Sequence, residues 1–229
     1  MSYYLWIIPG MLLMMWSQFH VKNTYYKYSE INSSLGMTGA EVAQTILQKM
    51  GVNDVIVEPV AGQLSDHYDP SARAVRLSEG VYGSSSLSAA AIAAHECGHV
   101  LQDVQGYKPM NLRAALVPMA NIGGQFGPLL VMFGVGLTAA STALGNTLLN
   151  VGIVVFAAAV LFHIVTLPVE FDASRRALNI INDLGILQGE ENGAAKKVLS
   201  AAAWTYVATT VSAVLQLMQL LSMRRQNNY

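Results

Sequence analysis

The sequence predicts a mainly α-helical integral membrane protein, with about four transmembrane helices and a small α+β domain on the cytoplasmic side. Of its 229 residues, 53% are apolar and only 12% are charged, and the mean hydropathy is +0.39. The formal net charge of -1 argues against nucleic acid as a partner. The single cysteine, Cys97, excludes an internal disulfide framework and a cysteine-rich metal-binding module.

Four apolar stretches are candidates for membrane spans. The first runs from about Tyr3 to Phe19 and has no small-residue cleavage site, so we expect an uncleaved anchor. The second, about Ala114–Leu137, and the third, about Thr147–Leu167, predict a transmembrane hairpin with its turn at Gly145-Asn146. The fourth, about Leu199–Leu221, contains two glutamines and either spans the bilayer or lies in its interface.

The positions of Lys and Arg predict the orientation of these spans. Of the 13 basic residues, seven lie between the first and second stretches and four between the third and fourth. Positive residues stay on the cytoplasmic side, so both regions are predicted to be cytoplasmic; Arg224-Arg225 is the exception. The predicted organisation is an anchor (1–20), a cytoplasmic segment (21–112), a transmembrane hairpin (113–168), a second cytoplasmic segment (169–198), and a transmembrane or interfacial helix with a tail (199–229).

The first cytoplasmic segment predicts a short helix and a small sheet. Thr38 and Glu41 have the spacing of a capping box, and Gly51 is placed to end the helix. Residues 54–60 and 64–68 favour strands, and a turn at 69–72 leads into the strand-like sequence RAVRLS at 73–78. We expect the last of these to be an edge strand, which could bind an extended peptide backbone.

The sequence AAIAAHECGHVLQ, at 90–102, contains the pattern His-Glu-x-x-His on a predicted helix that is capped by Ser88 and stopped by Gly106. At about 100° per residue, His95 and His99 lie about 40° apart on one face, which suits two imidazoles that share a metal ion. Gln102 falls on the same face and Cys97 on the far side. Gly98 has no side chain, so another segment could approach the metal closely there.

Glu96 lies on the flank of this face, where it would reach a water molecule activated by the metal rather than the metal itself. A carboxylate in that place is typical of the general base of a zinc peptidase. An alternative is a non-catalytic, zinc-stabilised membrane scaffold, which would need the metal ligands but not Glu96. The presence of Glu96 therefore favours an enzyme.

A catalytic zinc ion needs a third protein ligand. Glu170 is the strongest candidate, because the sequence TLPVEFDASRRAL places it at the cytoplasmic end of the third span, where a carboxylate without a partner is costly. Arg175 and Arg176 could orient Glu170 or hold a substrate carbonyl, and His67 could lie beside the cleft. The other possible ligands are Asp172, His163, Asp103, His67 and Glu79.

The sequences AAHECGHVLQ and TLPVEFDASRRAL together resemble those of the YugP-type neutral zinc metallopeptidases of bacteria and archaea, and more distantly those of HtpX-like membrane peptidases. The resemblance covers nearly the whole chain. It implies that His95, His99 and Glu170 are zinc ligands and that Glu96 is the base. In the HtpX-like pattern an acid stands four residues after the third ligand, whereas this chain has Ser174 there. A supporting carboxylate would then come from Asp172 or Asp103, or be absent.

The expectation is therefore a zincin-like cytoplasmic domain in a multi-pass protein of a prokaryotic plasma membrane. It would be a gluzincin-like zinc endopeptidase with one Zn²⁺ per chain. Its substrates would be polypeptides, membrane-associated or misfolded, at the surface of the lipid bilayer. Residues expected to support the site or contact substrate are Gln102, Asp103, Asp172, Arg175, Arg176 and His67.

Overall fold

The structure, a computed structural model, describes residues 4–138 and 140–227. Residues 1–3 of the predicted anchor, residue 139 of the predicted hairpin, and residues 228 and 229 of the predicted tail lie outside these ranges. The helices and strands are α1 (Tyr4–Ser29), α2 (Gly39–Lys49), β1 (Ile56–Val60), β2 (His67–Asp69), β3 (Ala74–Ser78), α3 (Glu79–Tyr82), α4 (Leu87–Val104), α5 (Lys108–Leu137), α6 (Thr142–Asp183) and α7 (Glu190–Asn227).

The chain divides into two compact units. Unit 1 comprises Met1–Ser17, Lys108–Pro168 and Thr205–Tyr229, and unit 2 comprises Gln18–Tyr107 and Val169–Trp204. Unit 1 contains most of the apolar stretches, and unit 2 contains the sheet and the His-Glu-x-x-His helix.

Three of the described helices are long and apolar enough to cross a membrane, by length and composition: α5, α6, and α7 from Glu190 to Arg225. They contain both arms of the predicted hairpin and also the fourth stretch, for which an interfacial position was an alternative. Helix α1 is not among the three found in the described residues, so its role as a span stays a prediction. The mainly helical fold with several candidate spans agrees with the sequence analysis.

In unit 1, glycines allow α5 and α6 to approach closely. A Cβ atom added to Gly134 would lie 2.6 Å from the backbone nitrogen of Leu149, and one added to Gly127 would lie 2.7 Å from Cβ of Phe156. Leu149 and Phe156 belong to a buried apolar cluster that also includes Val131. Small residues at such contacts permit the close packing on which helix association in membranes depends.

The turn between α5 and α6 is not at Gly145-Asn146, where the sequence predicts it. Helix α5 ends at Leu137 and α6 begins at Thr142, so Gly145 lies inside α6. A Cβ atom at Gly145 would be 2.7 Å from the backbone nitrogen of Thr138. This glycine therefore serves a close approach of two chain segments rather than a turn.

In unit 2, the predicted small sheet is present, but its strand order differs from the prediction. The order is β1-β3-β2, with β1 parallel to β3 and β2 antiparallel to it. Strand β3 is thus central and largely buried, and the prediction that 73–78 forms an edge strand is wrong. The sequence does not reveal this order, because β1 pairs directly with β3 although β2 lies between them in the sequence. Local sequence patterns do not show which strands become neighbours.

An arginine in this central strand is balanced by acids on both neighbouring strands. Arg76 Nε donates to Glu58 on β1 at 2.7 Å, and Arg76 Nη1 donates to Asp69 on β2 at 2.7 Å. Cross-strand pairs of opposite charge of this kind stabilise a sheet modestly.

The ends of α2 and α4 follow local capping rules. In α2, Thr38 Oγ1 accepts from Glu41 N at 3.3 Å and Glu41 Oε2 accepts from Thr38 N at 2.8 Å, which confirms the predicted capping box. Helix α4 is capped by Ser86, whose Oγ accepts from Ala89 N at 3.2 Å, rather than by Ser88 as predicted. Ser88 instead donates to the carbonyl of Tyr25, so its hydroxyl is used in tertiary packing.

Within unit 2, Gly98 permits a close contact between α4 and the C-terminal part of α6. A Cβ atom added to Gly98 would lie 2.5 Å from the carbonyl oxygen of Ala173 and 3.1 Å from its carbonyl carbon. Because the obstacle is backbone, it cannot rotate away as a side chain could. The predicted close approach at Gly98 is therefore observed.

We expect Gly98→Ala to lower the free energy of unfolding by about 1–3 kcal/mol, because the added methyl group overpacks a backbone contact. This loss should exceed the gain of about 1 kcal/mol in helix propensity. Chemical or thermal unfolding in detergent measures it, with Gly83→Ala as the control, because nothing lies within 4 Å of a Cβ atom there. A Gly98→Ala protein as stable as the parent would show that the helices can separate at no cost.

Candidate metal centre

Two histidines of α4 present their rings to the same space. His95 and His99 are one helical turn apart, their ring centroids are 4.8 Å apart, and the ring planes meet at 85°. Both lie in a helix that is buried over most of its length. The predicted placement on one helical face is therefore confirmed.

The carboxylate of Glu170, on α6, lies against both imidazoles. Its Oε2 atom is 3.3 Å from Nε2 of His95 and 3.5 Å from Nε2 of His99, and only 2% of the residue is exposed. One possible ligand atom from each of these three residues lies within 4.8 Å of the others, so the three could hold a metal ion. Of the sequence candidates for a third ligand, the structure brings Glu170 to this place.

These separations fit a tetrahedral metal better than they fit direct hydrogen bonds. Nitrogen and oxygen ligands at about 2.0–2.1 Å from a tetrahedral zinc ion lie about 3.4 Å from one another. The two observed distances, 3.3 and 3.5 Å, bracket this value. An N–H···O hydrogen bond is most often about 2.9–3.0 Å long. Two imidazoles and one carboxylate are also the donor set of many catalytic zinc sites.

The far nitrogen of each histidine is held by a neighbouring side chain. Nδ1 of His95 is 3.1 Å from Oγ of Ser174, and Nδ1 of His99 is 3.0 Å from Oε1 of Gln102. Such contacts fix the orientation of a ligating imidazole. Ser174, where the HtpX-like pattern has an acid, therefore takes a supporting position with a hydroxyl group.

Gln102 also determines which nitrogen of His99 carries hydrogen. Its Nε2 atom donates to the carbonyl of Val169 at 2.8 Å and to Oδ2 of Asp172 at 2.9 Å, and both of these groups only accept. The amide oxygen must then face His99, so Nδ1 of His99 donates. The Nε2 atom, which faces Glu170, is left to bind a metal ion when the ring is neutral.

Asp172 is held in turn by two arginines of its own helix. Its Oδ1 atom accepts from Arg175 and its Oδ2 atom accepts from Arg176. Arg176 also donates to Gln105 Oε1, and its guanidinium group lies 5.7 Å from the ring centre of Tyr107. The hypothesis that these arginines orient Glu170 is therefore not supported, because their observed partner is Asp172.

Glu96 lies beside the group and is 6% exposed. Burial raises the pKa of its carboxyl group; the nearby His95 and His99 oppose this rise, while the charges of Glu170 and Asp66 add to it. Asp66 was not singled out by the sequence. It accepts from the backbone nitrogen of Ser78 at 2.7 Å, and burial raises its pKa as well. No local motif signals this carboxylate, since its position depends on the sheet.

Several sequence candidates lie elsewhere. Asp103 accepts from Tyr68 at 2.7 Å and from Arg73 at 3.0 Å, and the Nδ1 atom of His67, which is exposed, is 2.8 Å from the carbonyl of Ser65. Cys97 is buried on the side of α4 that faces Ala43, as expected of a residue that is not a ligand. The group found in the described part of the chain does not include Asp103, His67, Glu79, His163 or Asp172.

Comparison with known proteins agrees with these observations. The model of a family described as "Putative neutral zinc metallopeptidase" matches residues 3–225. The chain is 44% identical over 214 residues to a protein of Bacillus subtilis (strain 168) named "Putative membrane protease YugP", which covers 93% of this chain and 92% of that protein. No solved structure shows significant similarity. On the strength of both matches, this chain belongs to the neutral zinc metallopeptidase family.

Proposed function

We propose that this protein is a membrane-bound, zinc-dependent endopeptidase that hydrolyses peptide bonds at the cytoplasmic surface of a prokaryotic plasma membrane. The observation that carries the proposal is the meeting of His95, His99 and Glu170 with Glu96 beside them. Three residues that could hold a metal ion, with a separate buried carboxylate nearby, support the proposal. A purely structural zinc site would usually have a fourth protein ligand, and would have no use for Glu96.

In this proposal His95 and His99 bind one Zn²⁺ through Nε2, and Glu170 binds it through a carboxylate oxygen. When bound, zinc supplies a Lewis acid that lowers the pKa of water and polarises the substrate carbonyl. Glu96 accepts the proton of the attacking water and returns it to the leaving amine. Ser174 and Gln102 hold the two imidazoles, Asp172 holds Gln102, and Arg175 and Arg176 hold Asp172.

The cytoplasmic position rests on the distribution of charge along the chain. Residues 21–112 and 169–198 carry ten of the 13 basic residues, and the candidate spans lie between and after these segments. Helix α1 would be a further span that anchors the N-terminus. A peptidase attached to the bilayer in this way would meet polypeptides that are in or near the membrane, including misfolded membrane proteins. We propose these as the substrate class.

Glu96→Gln should keep about one zinc ion per chain and lose cleavage by about 10²–10⁴-fold, because the amide cannot accept a proton. The measurement is zinc content together with hydrolysis of unfolded casein by the full chain in detergent. Exposed Glu79, changed to Gln, is the matched control and should keep both properties. Equal cleavage by Glu96→Gln and the parent would contradict the assignment of the base and favour the scaffold.

Glu170→Gln should lose both zinc and cleavage, because a neutral amide replaces the only charged ligand of the set. Competition with a chelator gives the zinc affinity, and thermal unfolding of the zinc-free protein checks that the fold survives. If Glu170→Gln bound zinc as tightly as the parent, the third ligand would have to be another residue.

Gln102→Met should weaken zinc binding about 10–100-fold, because it removes the group that fixes the ring of His99 while keeping a side chain of similar length. Gln105→Met, at the C-cap residue that follows this helix, is the control, since Gln105 contacts Arg176 rather than a histidine. The readouts are zinc affinity and the absorption spectrum of the Co²⁺-substituted protein. Unchanged affinity and spectrum in Gln102→Met would show that His99 does not need this support.

A further inference from the structure

Unit 2 contains a groove between one face of α1 and one face of α7, with a volume of about 700 Å³. The lining positions on α1 follow the spacing i, i+3, i+4, i+7 and i+8, and those on α7 follow i, i+3, i+4 and i+7, so each set forms a continuous helical face. The lining residues are His20, Asn23, Thr24, Lys27, Tyr28, Gly193, Lys196, Lys197 and Ser200.

The groove has a strongly positive lining. Lys27, Lys196 and Lys197 all contribute to it, and no Asp or Glu is among the lining residues. Within unit 2, all of whose residues the structure describes, none of the three lysines has a carboxylate within 4.0 Å. The ammonium group of Lys27 lies 5.5 Å from the ring centre of Tyr28. Two facing helices that bring three positive charges together are stabilised by an anion between them.

The nearest acids on α7, which like the groove belong to unit 2, form no ion pair with the lysines of the groove. Glu190 and Glu191 line an adjoining cavity that shares Lys197 with the groove. The carboxylate of Glu191 accepts instead from the backbone nitrogen of Ser34 at 2.7 Å and from its hydroxyl at 3.0 Å. The ammonium groups of the groove are therefore able to bind an anionic ligand.

We propose that this groove binds the phosphate of an anionic phospholipid headgroup. In α1 the lining begins at His20, directly after the apolar stretch that ends at Phe19, and in α7 the lysines directly precede the apolar stretch from Leu199. Both faces thus occur where an apolar stretch of the helix ends, which is the depth of lipid phosphates for a spanning helix. The volume suits a headgroup, since ligand sites commonly have 300–1,000 Å³.

An apolar side chain beside the groove in α1 favours a lipid over free phosphate. Phe19 lies one helical turn before the lining residue Asn23, and it is 67% exposed. Its ring can contact an acyl chain, for which a soluble anion has no equivalent. This inference concerns lysines outside the metal centre, and it holds or fails independently of the proposed peptidase activity.

The test uses the full chain in a neutral detergent, titrated with phosphatidylglycerol, phosphatidylcholine or inorganic phosphate. Native mass spectrometry gives the affinity, and the midpoint of thermal unfolding reports stabilisation by the ligand. We expect phosphatidylglycerol to bind and raise the midpoint, and phosphatidylcholine and inorganic phosphate to do neither. The triple variant Lys27→Gln, Lys196→Gln, Lys197→Gln should bind phosphatidylglycerol about 100-fold more weakly, or about five-fold for each lysine.

The matched control is the triple variant Lys22→Gln, Lys49→Gln, Lys108→Gln, which makes the same change in net charge outside the groove. The affinity of this variant for phosphatidylglycerol should change by less than about two-fold, because none of its three lysines lines the groove and exposed charges in water are screened. Lys196→Gln alone, with a loss of about five-fold, keeps the test valid if the first triple variant does not fold. Equal loss in both triple variants, equal binding of the two lipids, or lysine-dependent binding of inorganic phosphate alone would each overturn the proposal.

Discussion

The burial of the Glu170 carboxylate between two imidazoles is the constraint on which the rest of the site depends. An ionised carboxylate that is 2% exposed is costly unless positive charge or hydrogen-bond donors surround it. A metal ion shared with His95 and His99 meets this need, and the two distances of 3.3 and 3.5 Å fit such sharing. Gly98 contributes to this arrangement, because the absence of a side chain there lets α6 approach α4 closely enough for Glu170 to reach the histidines.

The polar groups behind the histidines form a hydrogen-bond network that leads from the buried site toward solvent. His99 donates to Gln102, Gln102 donates to Asp172, and Asp172 accepts from Arg175, whose side chain is 72% exposed. Each buried polar group in this network has a hydrogen-bond partner, so the network orders the site without leaving an unpaired charge. Ser174 holds the far nitrogen of His95, and Asp172 supports His99 through Gln102.

Local patterns predicted the parts of this structure that local interactions determine. The capping box at Thr38, the histidines on one face of α4 and the role of Gly98 follow from helical geometry, which is set within a few residues. The order of the strands, the hydroxyl of Ser174 beside His95 and the half-buried Asp66 depend on segments far apart in the chain. Glycine permits both a turn and a close contact between segments, and at Gly145 only the packing against Thr138 distinguishes the two.

The arginines and the lysines of unit 2 differ in their partners, and a count of basic residues along the sequence does not show this difference. In unit 2, each of the four arginines forms an ion pair with a carboxylate, whereas none of the five lysines does. Arg73 pairs with Asp54 and Asp103, Arg76 pairs with Glu58 and Asp69, and Arg175 and Arg176 pair with Asp172. Arginine suits fixed pairs because its planar group binds carboxylates in defined directions, whereas the lysine ammonium is a mobile point charge. The arginines of unit 2 are thus committed to the fold. The lysines supply the charge that remains for the bilayer, and three of them line one groove.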